Sequence, residues 1–204
     1  MPGRKARNLA LLKALDNGSA YQIVNTERQY LANLYKQLGF KRGAEIGVGG
    51  GVFSEMICQA NPQVELWAVD AWQTYEEYPD FRFQEYLDKD YIKAQEKLKP
   101  YNVHIQKTFS MEAVQEFQDG FLDFVYVDGN HTHPWIDDDI REWSAKVREG
   151  GIVSGHDYIE GHTPVIEAVD SYVLHHRCGP LFLVGDPREN GSNEELILSW
   201  FWVR

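Results

Sequence analysis

The sequence predicts an α/β protein: a Rossmann-like, mostly parallel sheet with helices on both faces, an antiparallel last strand, and N-terminal helices in front. Three observations carry this reading. From residue 43 onward, short apolar runs such as VELWAV (64–69) and LDFVYV (122–127) alternate with amphipathic helical stretches. Strands separated by helices run parallel and need cover on both faces. The first of these strands passes through glycines directly into a helix. The last two are joined by GDPRENGSNEE, with no helical pattern, so the closing strand should turn back as a hairpin.

Residues 1–22 read as a basic amphipathic helix or arm, with Leu9, Leu12 and Leu15 at helical spacing. Asn25 or Thr26 can cap a second helix, on which Leu31, Leu34, Tyr35 and Leu38 form one apolar face before Gly39 ends it. These elements make an N-terminal helical extension over 1–40, and 41–204 make the Rossmann-like domain. Strands are expected at 44–48, 64–69, 103–106, 122–127, 151–154, 181–184 and 197–203. Helices are expected at 53–60, 81–98, 110–117, 135–147 and 163–175. Pro164 falls at the first position of the last helix, where a missing N–H costs nothing.

The 204 residues suit one domain with a substantial core, and 20 Lys+Arg against 31 Asp+Glu give a net charge of −11. That balance argues against a general nucleic-acid binder or an anionic-membrane protein. Cys58 and Cys178 are too few for a disulfide framework or a zinc ribbon. The apolar run near the start is broken by Lys13, and no stretch approaches the ~18 apolar residues of a membrane span. The expectation is a soluble, cytoplasmic protein with small-molecule partners. Nothing fixes its oligomeric state, and a homo-oligomer is compatible with the sequence.

In such sheets ligands sit at the carboxyl ends of the strands, where the strand order reverses. The first loop there is Glu45-Ile46-Gly47-Val48-Gly49-Gly50-Gly51-Val52. Glycines let the backbone turn tightly and approach a ligand, and the following helix offers free N–H groups. Asp70 closes the next strand, where a carboxylate can accept both ribose hydroxyls. A nicotinamide fingerprint places a small residue three positions after its second glycine; here that position is Val52.

The E-x-G-x-G-x-G pattern resembles motif I of the class I S-adenosylmethionine-dependent methyltransferases. The resemblance extends through D-F-V-Y-V-D-G-N-H (123–131), E-G-G-I-V-S-G-H-D-Y (149–158) and the closing S-W-F-W-V. Together these are similar to the small-molecule branch that includes macrocin O-methyltransferase and cephalosporin-hydroxylase-like proteins. The resemblance implies S-adenosylmethionine as cofactor, its methionine end at Gly47, Gly49 and Gly51 beside Glu45. It implies the ribose on Asp70 next to Ala71, the adenine near Ser110 and Met111, and Asp128 facing the cofactor.

It also implies that Asp128 and His131 supply a metal-binding aspartate and a histidine base. A second acid pair is usual at the next strand end; this chain has His156-Asp157 there. A divalent cation (magnesium, manganese or another) would then rest on Asp128, His156 and Asp157, and the histidine disfavours magnesium. The acceptor implied is a small, glycosyl or polyhydroxylated molecule. His104, His133 and His162 read as surface or core residues, His175-His176 as cations favoured by the dipole at a helix end, and Asp137-Asp138-Asp139 as a first-turn complement to the helix dipole. The aromatics of 71–90 (Trp72, Tyr75, Tyr78, Phe81, Phe83, Tyr86) suit a lid over the acceptor. Two rivals remain: a nucleotide-cofactor enzyme on a similar sheet, and a non-catalytic S-adenosylmethionine-binding subunit.

Overall fold

The structure is a computed structural model that describes residues 28–75, 83–159, 163–178, 180–185 and 198–204, together with the backbone of 21–23. The strands are β1 (Tyr21–Ile23), β2 (Arg42–Ile46), β3 (Glu65–Asp70), β4 (Val103–Lys107), β5 (Leu122–Val127), β6 (Val147–Tyr158), β7 (Phe182–Val184) and β8 (Leu198–Val203). They form one sheet in the order β1-β7-β8-β6-β5-β2-β3-β4. β8 pairs antiparallel with both β6 and β7, and the other pairings are parallel. The last strand is antiparallel, as expected, and lies between two neighbours that run parallel to each other.

The helices are α1 (Gln29–Gln37), α2 (Val52–Ala60), α3 (Gln84–Leu98), α4 (Ser110–Ala113, continued by a 3-10 turn over Val114–Glu116), α5 (Trp135–Lys146) and α6 (Thr163–His176). One face of the sheet carries α4, α5 and α6, with Ile136, Ile140, Trp143, Val165 and Val169 packed on Ala44, Ile46, Val125, Val127, Trp200 and Trp202. The other face carries α1 and α2, with Leu31, Leu34, Tyr35, Phe53 and Ile57 on Leu66, Phe124, Tyr126 and Phe201. Phe124, Val125, Tyr126 and Val127 alternate between these clusters, and all six β5 residues are buried, which is why that strand reads as an apolar run interrupted only by Asp123. α3 closes the second face near β3 through Leu87, Ala94 and Leu98.

Two expectations are corrected. Residues 21 and 22, expected in a helix or arm, begin β1, which pairs with β7 some 160 residues downstream; no local pattern encodes that partnership. The strand expected at 151–154 runs from Val147 to Tyr158: Val147 already pairs with Leu122 ahead of a register shift, Arg148 donates to Asp123 across that shift, and Tyr158 pairs with Leu198 at the far end. α1, within the expected N-terminal extension, packs onto the sheet: the Tyr35 ring stacks on Phe124 at 3.9 Å and its hydroxyl meets Ser154 Oγ at 2.8 Å. Residues 1–20, Asn25, Thr26, Tyr78, Phe81, His162 and most of the final hairpin connection lie outside the described residues. Among the described residues, no helix is long and apolar enough to cross a membrane.

Candidate active site

Strand order reverses between β2 and β5, and there the carboxyl ends of β2, β3 and β5 open onto a cleft of about 290 Å³. Its floor is the glycine loop. Gly47 has φ +88°, and a Cβ there would lie 2.0 Å from the Asp128 carbonyl oxygen. The two strand ends are thus pressed together at a point only glycine fits. Gly49, at φ +50°, differs: a Cβ there would meet nothing within 4 Å, so this glycine keeps the cleft open. Gly51, at φ +75°, starts α2, and a Cβ there would lie 3.2 Å from the Ala94 Cα. It shapes the loop from behind and does not line the cleft.

Asp70 fixes that loop. Its Oδ2 accepts the Val48 and Gly49 amides, each at 2.9 Å, and its Oδ1 accepts the Trp72 amide at 2.7 Å. A carboxylate has about four acceptor positions, so one remains to face the cleft, which Asp70 and Ala71 both line. Burial pushes the Asp70 carboxyl above its ordinary range, while the three amides pull it back. Trp72 adds a clasp: its Nε1 donates to the Gly49 carbonyl at 2.9 Å. The residue is buried at φ +42°, so it supports the loop and is not part of an acceptor lid. Phe83 and Tyr86 are exposed, and Tyr75 lines the cleft.

Glu45 is buried beneath the loop, bonded to the Ser54 hydroxyl, and burial pushes its carboxyl up to about 8. The far wall is aromatic: Tyr75 lies 5.4 Å from Phe109 and 5.2 Å from Trp135, centroid to centroid, and its hydroxyl accepts Asn130 Nδ2 at 3.0 Å. Ser110 lines this end, donating to Asp139 and accepting Trp143 Nε1 at 2.8 Å. Met111, expected beside it, packs against the sheet core instead; neighbours on a helix point about 100° apart, and Ser110 has the cleft side.

Asp139 is a residue the sequence reading missed. Burial pushes it up to about 7, and it lines the cleft, whereas Asp137 and Asp138 pair outward with His133 and Arg141. Its spacing from Ile136, Ile140 and Trp143 marks one helix face and was the available signal.

The cleft ends at a cluster of charge. Asp128 Oδ1 lies 3.7 Å from His131 Nε2 and 3.8 Å from His156 Nδ1. Asp157, buried at φ +61°, brings Oδ2 to 2.8 Å from His131 Nε2 and Oδ1 to 3.4 Å from His156 Nδ1. Burial opposes charge on His131, but the two carboxylates outweigh it and push the imidazole up to about 10. Burial would raise Asp157, yet the two histidines hold it well below the usual carboxylate range. Ligand atoms of Asp128, His131 and Asp157 lie within 4.8 Å of one another. His131 thus stands beside the expected ligands Asp128 and Asp157, and His156 Nδ1 faces the same two carboxylates. Arg28, also unforeseen, reaches from the start of α1 to Asp128 Oδ2 at 3.2 Å and lies over the Phe53 ring at 5.5 Å.

Residues 44–158, more than half of the chain, match a family described as a methyltransferase domain. A curated relative, the uncharacterized protein y4gI of Sinorhizobium fredii, is 28% identical over 121 residues; the match covers 57% of this chain and 13% of that protein. The chain thus spans about an eighth of that relative's length. Among solved structures, the O-methyltransferase from Bacillus cereus in complex with SAH matches with TM-score 0.62 at 14% identity, covering 100% of this chain and 93% of that one. The O-methyltransferase TomG from Streptomyces achromogenes, in complex with SAM, matches with TM-score 0.60 at 14% identity, covering 100% and 90%. The N-methyltransferase NodS from Bradyrhizobium japonicum matches with TM-score 0.58 at 13% identity, covering 87% and 94%. By the family match over 44–158, the chain belongs to the methyltransferase-domain family.

Proposed function

We propose that the protein transfers a methyl group from S-adenosylmethionine to a hydroxyl oxygen of a small acceptor. The observation that carries this reading is the open face of the glycine loop. Gly49 leaves free space at the strand switch point, beside a carboxylate with one acceptor position left and an aromatic wall at the far end. That space suits an amino-acid tail, a ribose and a flat base in sequence. The bound cofactor supplies an electrophilic methyl group on a positive sulfur. What remains for the chain is to align the acceptor oxygen and to take its proton.

Similar folds act on oxygen and on nitrogen, as TomG and NodS illustrate. The carboxylate–histidine cluster favours oxygen, because an alcohol holds its proton tightly and needs a base. His131 can be that base only as neutral imidazole, and Asp128 and Asp157 hold it charged. The same two carboxylates, with His156 Nδ1 beside them, would hold a divalent cation and leave His131 free of it; a mixed oxygen and nitrogen donor set suits manganese, iron or zinc better than magnesium. Neutralising the pair's charge would return the imidazole toward its ordinary range and stabilise an acceptor alkoxide. The acceptor class supported by the resemblance is a glycosyl or polyhydroxylated molecule.

Calorimetric titration with SAH, followed by methyl transfer from labelled S-adenosylmethionine to a panel of polyols and glycosides with and without chelator, tests this reading. His131→Ala should lower turnover about 10²–10⁴-fold and leave SAH affinity unchanged. A folded protein with no affinity for SAH would overturn the assignment, and full turnover in His131→Ala with rate-limiting chemistry would remove the base.

A further inference from the structure

The strand end that carries Asp128 and His131 also carries Asn130, a buried polar side chain with no part yet in the proposed reaction. Its Oδ1 accepts the Thr132 amide at 3.0 Å and the Thr132 hydroxyl at 2.8 Å. An asparagine that bonds the backbone two residues on closes a turn of its own, and the residue enclosed by this turn is His131. The chain on either side is pinned as well. A Cβ on Gly129 would lie 3.3 Å from Asp139 Oδ2, so the backbone there rests close on α5. The Thr132 carbonyl accepts the Ile136 amide at 3.2 Å. The direction in which the His131 side chain leaves the backbone is thus set by its neighbours, whereas Asp157, 2.8 Å from Nε2, holds only the far end of the ring.

The other end of the Asn130 amide reaches a different strand end. Nδ2 donates to the hydroxyl of Tyr75, 55 residues away, at 3.0 Å. The Tyr75 ring stands in the aromatic wall of the cleft, against Phe109 and Trp135. One amide therefore spends its acceptor on the turn around His131 and its donor on the wall. An ionised aspartate of the same length has acceptors only. We propose that Asn130 is the positioning residue for His131 and that Tyr75 anchors it, so that a flat ring packed on the wall also steadies the base. A displacement of about 1 Å in a reacting group can lower a rate on the order of 10²-fold, which is the scale on which such a turn acts. The inference rests on the proposed reading of His131 as the base and of the wall as the seat of the cofactor's flat ring.

The test is proton–nitrogen correlation NMR of the His131 imidazole in the full chain, without and with SAH, its signals assigned by their loss in His131→Gln. In the unmodified protein one set of ring signals is expected, and SAH should narrow it. Tyr75→Phe removes one hydroxyl and keeps the ring, so it should bind SAH within about twofold of the unmodified protein yet lose the narrowing. Asn130→Ala should broaden or split the ring signals with and without SAH. Asn130→Ser keeps a weaker acceptor for the turn and loses the reach to Tyr75, so it should behave as Tyr75→Phe does. Turnover of the best acceptor in the panel should fall about 10- to 100-fold in Asn130→Ala at unchanged KM for S-adenosylmethionine. Adding Tyr75→Phe to that variant should lower it no further, because both changes cut one link. Should Asn130→Ala not fold, Tyr75→Phe and Asn130→Ser decide. Unaltered ring signals in folded Asn130→Ala, or an SAH response identical in Tyr75→Phe and the unmodified protein, overturn the positioning role and leave the functional reading intact. An unmodified protein that does not bind SAH overturns that reading, while the ligand-free spectra of the variants still decide whether Asn130 orients His131.

Discussion

The glycine-loop side of the cleft and the histidine side are neighbouring strand ends of one sheet, held in place by opposite means. On the glycine side the backbone does the work. Amides of Val48, Gly49 and Trp72 converge on Asp70, and an indole N–H secures the Gly49 carbonyl. On the histidine side, side-chain charge does it: two carboxylates and two imidazoles meet within a few ångströms, and Asp157 adopts φ +61° to join them. Backbone amides give a shape that tolerates little change in sequence and costs no net charge. A charge cluster gives a site whose protonation shifts with its contents, at the cost of backbone strain. Asp128 is shared, one oxygen to each side.

If the glycine side is defined by backbone fit, its most constrained point is Gly47. A Cβ there would stand 2.0 Å from the Asp128 carbonyl at φ +88°, so Gly47→Val should prevent the two strand ends from closing. The expected outcome is loss of cooperative thermal unfolding or a melting temperature lowered by many degrees, together with loss of SAH binding. Gly49→Val should contrast with it. Its Cβ has open space, so the fold should survive at a cost of about 1–2 kcal/mol for a left-handed backbone, while binding is blocked by the new side chain. Equal stability of the two variants would break the distinction between a packed and an open glycine.

Asp70→Ala comes next in size. It removes one free acceptor position and the anchor of three amides, so SAH affinity should fall about tenfold to a hundredfold in a folded protein. Asp70→Asn keeps the size but brings an amide N–H toward donors that already fill one side, and should recover little. Unchanged affinity in Asp70→Ala, measured by calorimetry, would show that the loop holds its shape without the carboxylate.

The glycine side was legible in the sequence because its information is local: a strand, glycines, a helix, and an acid closing the next strand. β5 and the α1 face were legible for the same reason, since buried apolar spacing is set by neighbours in the chain. What escaped was long-range. Arg28 meets its partner 100 residues away, β1 pairs with β7 across most of the chain, and the His131–Asp157 contact joins two separate strand ends. Trp72 read as part of a lid because its aromatic character shows in the sequence, whereas the indole bond to Gly49 depends on a left-handed backbone that no spacing rule announces. Asp139 was obscured by two adjacent aspartates, although its helical spacing from Ile140 and Trp143 placed it inward.

The histidine side makes the smallest and most specific prediction, through pH. His131 is raised from 6.5 to about 10 in the folded protein. A raised base binds its proton more tightly folded than unfolded, so its stabilising contribution is complete below pH 6.5 and fades as pH rises toward 10. Asp157, held low by the same contacts, keeps its contribution over that window and loses it only far into acid. Glu45, buried and raised to about 8, adds to the decline, because above its ordinary range the unfolded chain ionises while the folded one resists. Thermal or denaturant unfolding between pH 6 and 10 should therefore show stability falling with pH. Replacing His131 with Gln should remove on the order of 1–2 kcal/mol of that slope, the worth of a half-buried charged hydrogen bond, and Glu45→Gln should remove a separate part of it. If His131→Gln leaves the slope unchanged while Glu45→Gln flattens it, the charge belongs to the buried acid beneath the glycine loop. The contrast between a backbone-built side and a charge-built side would then have to be redrawn.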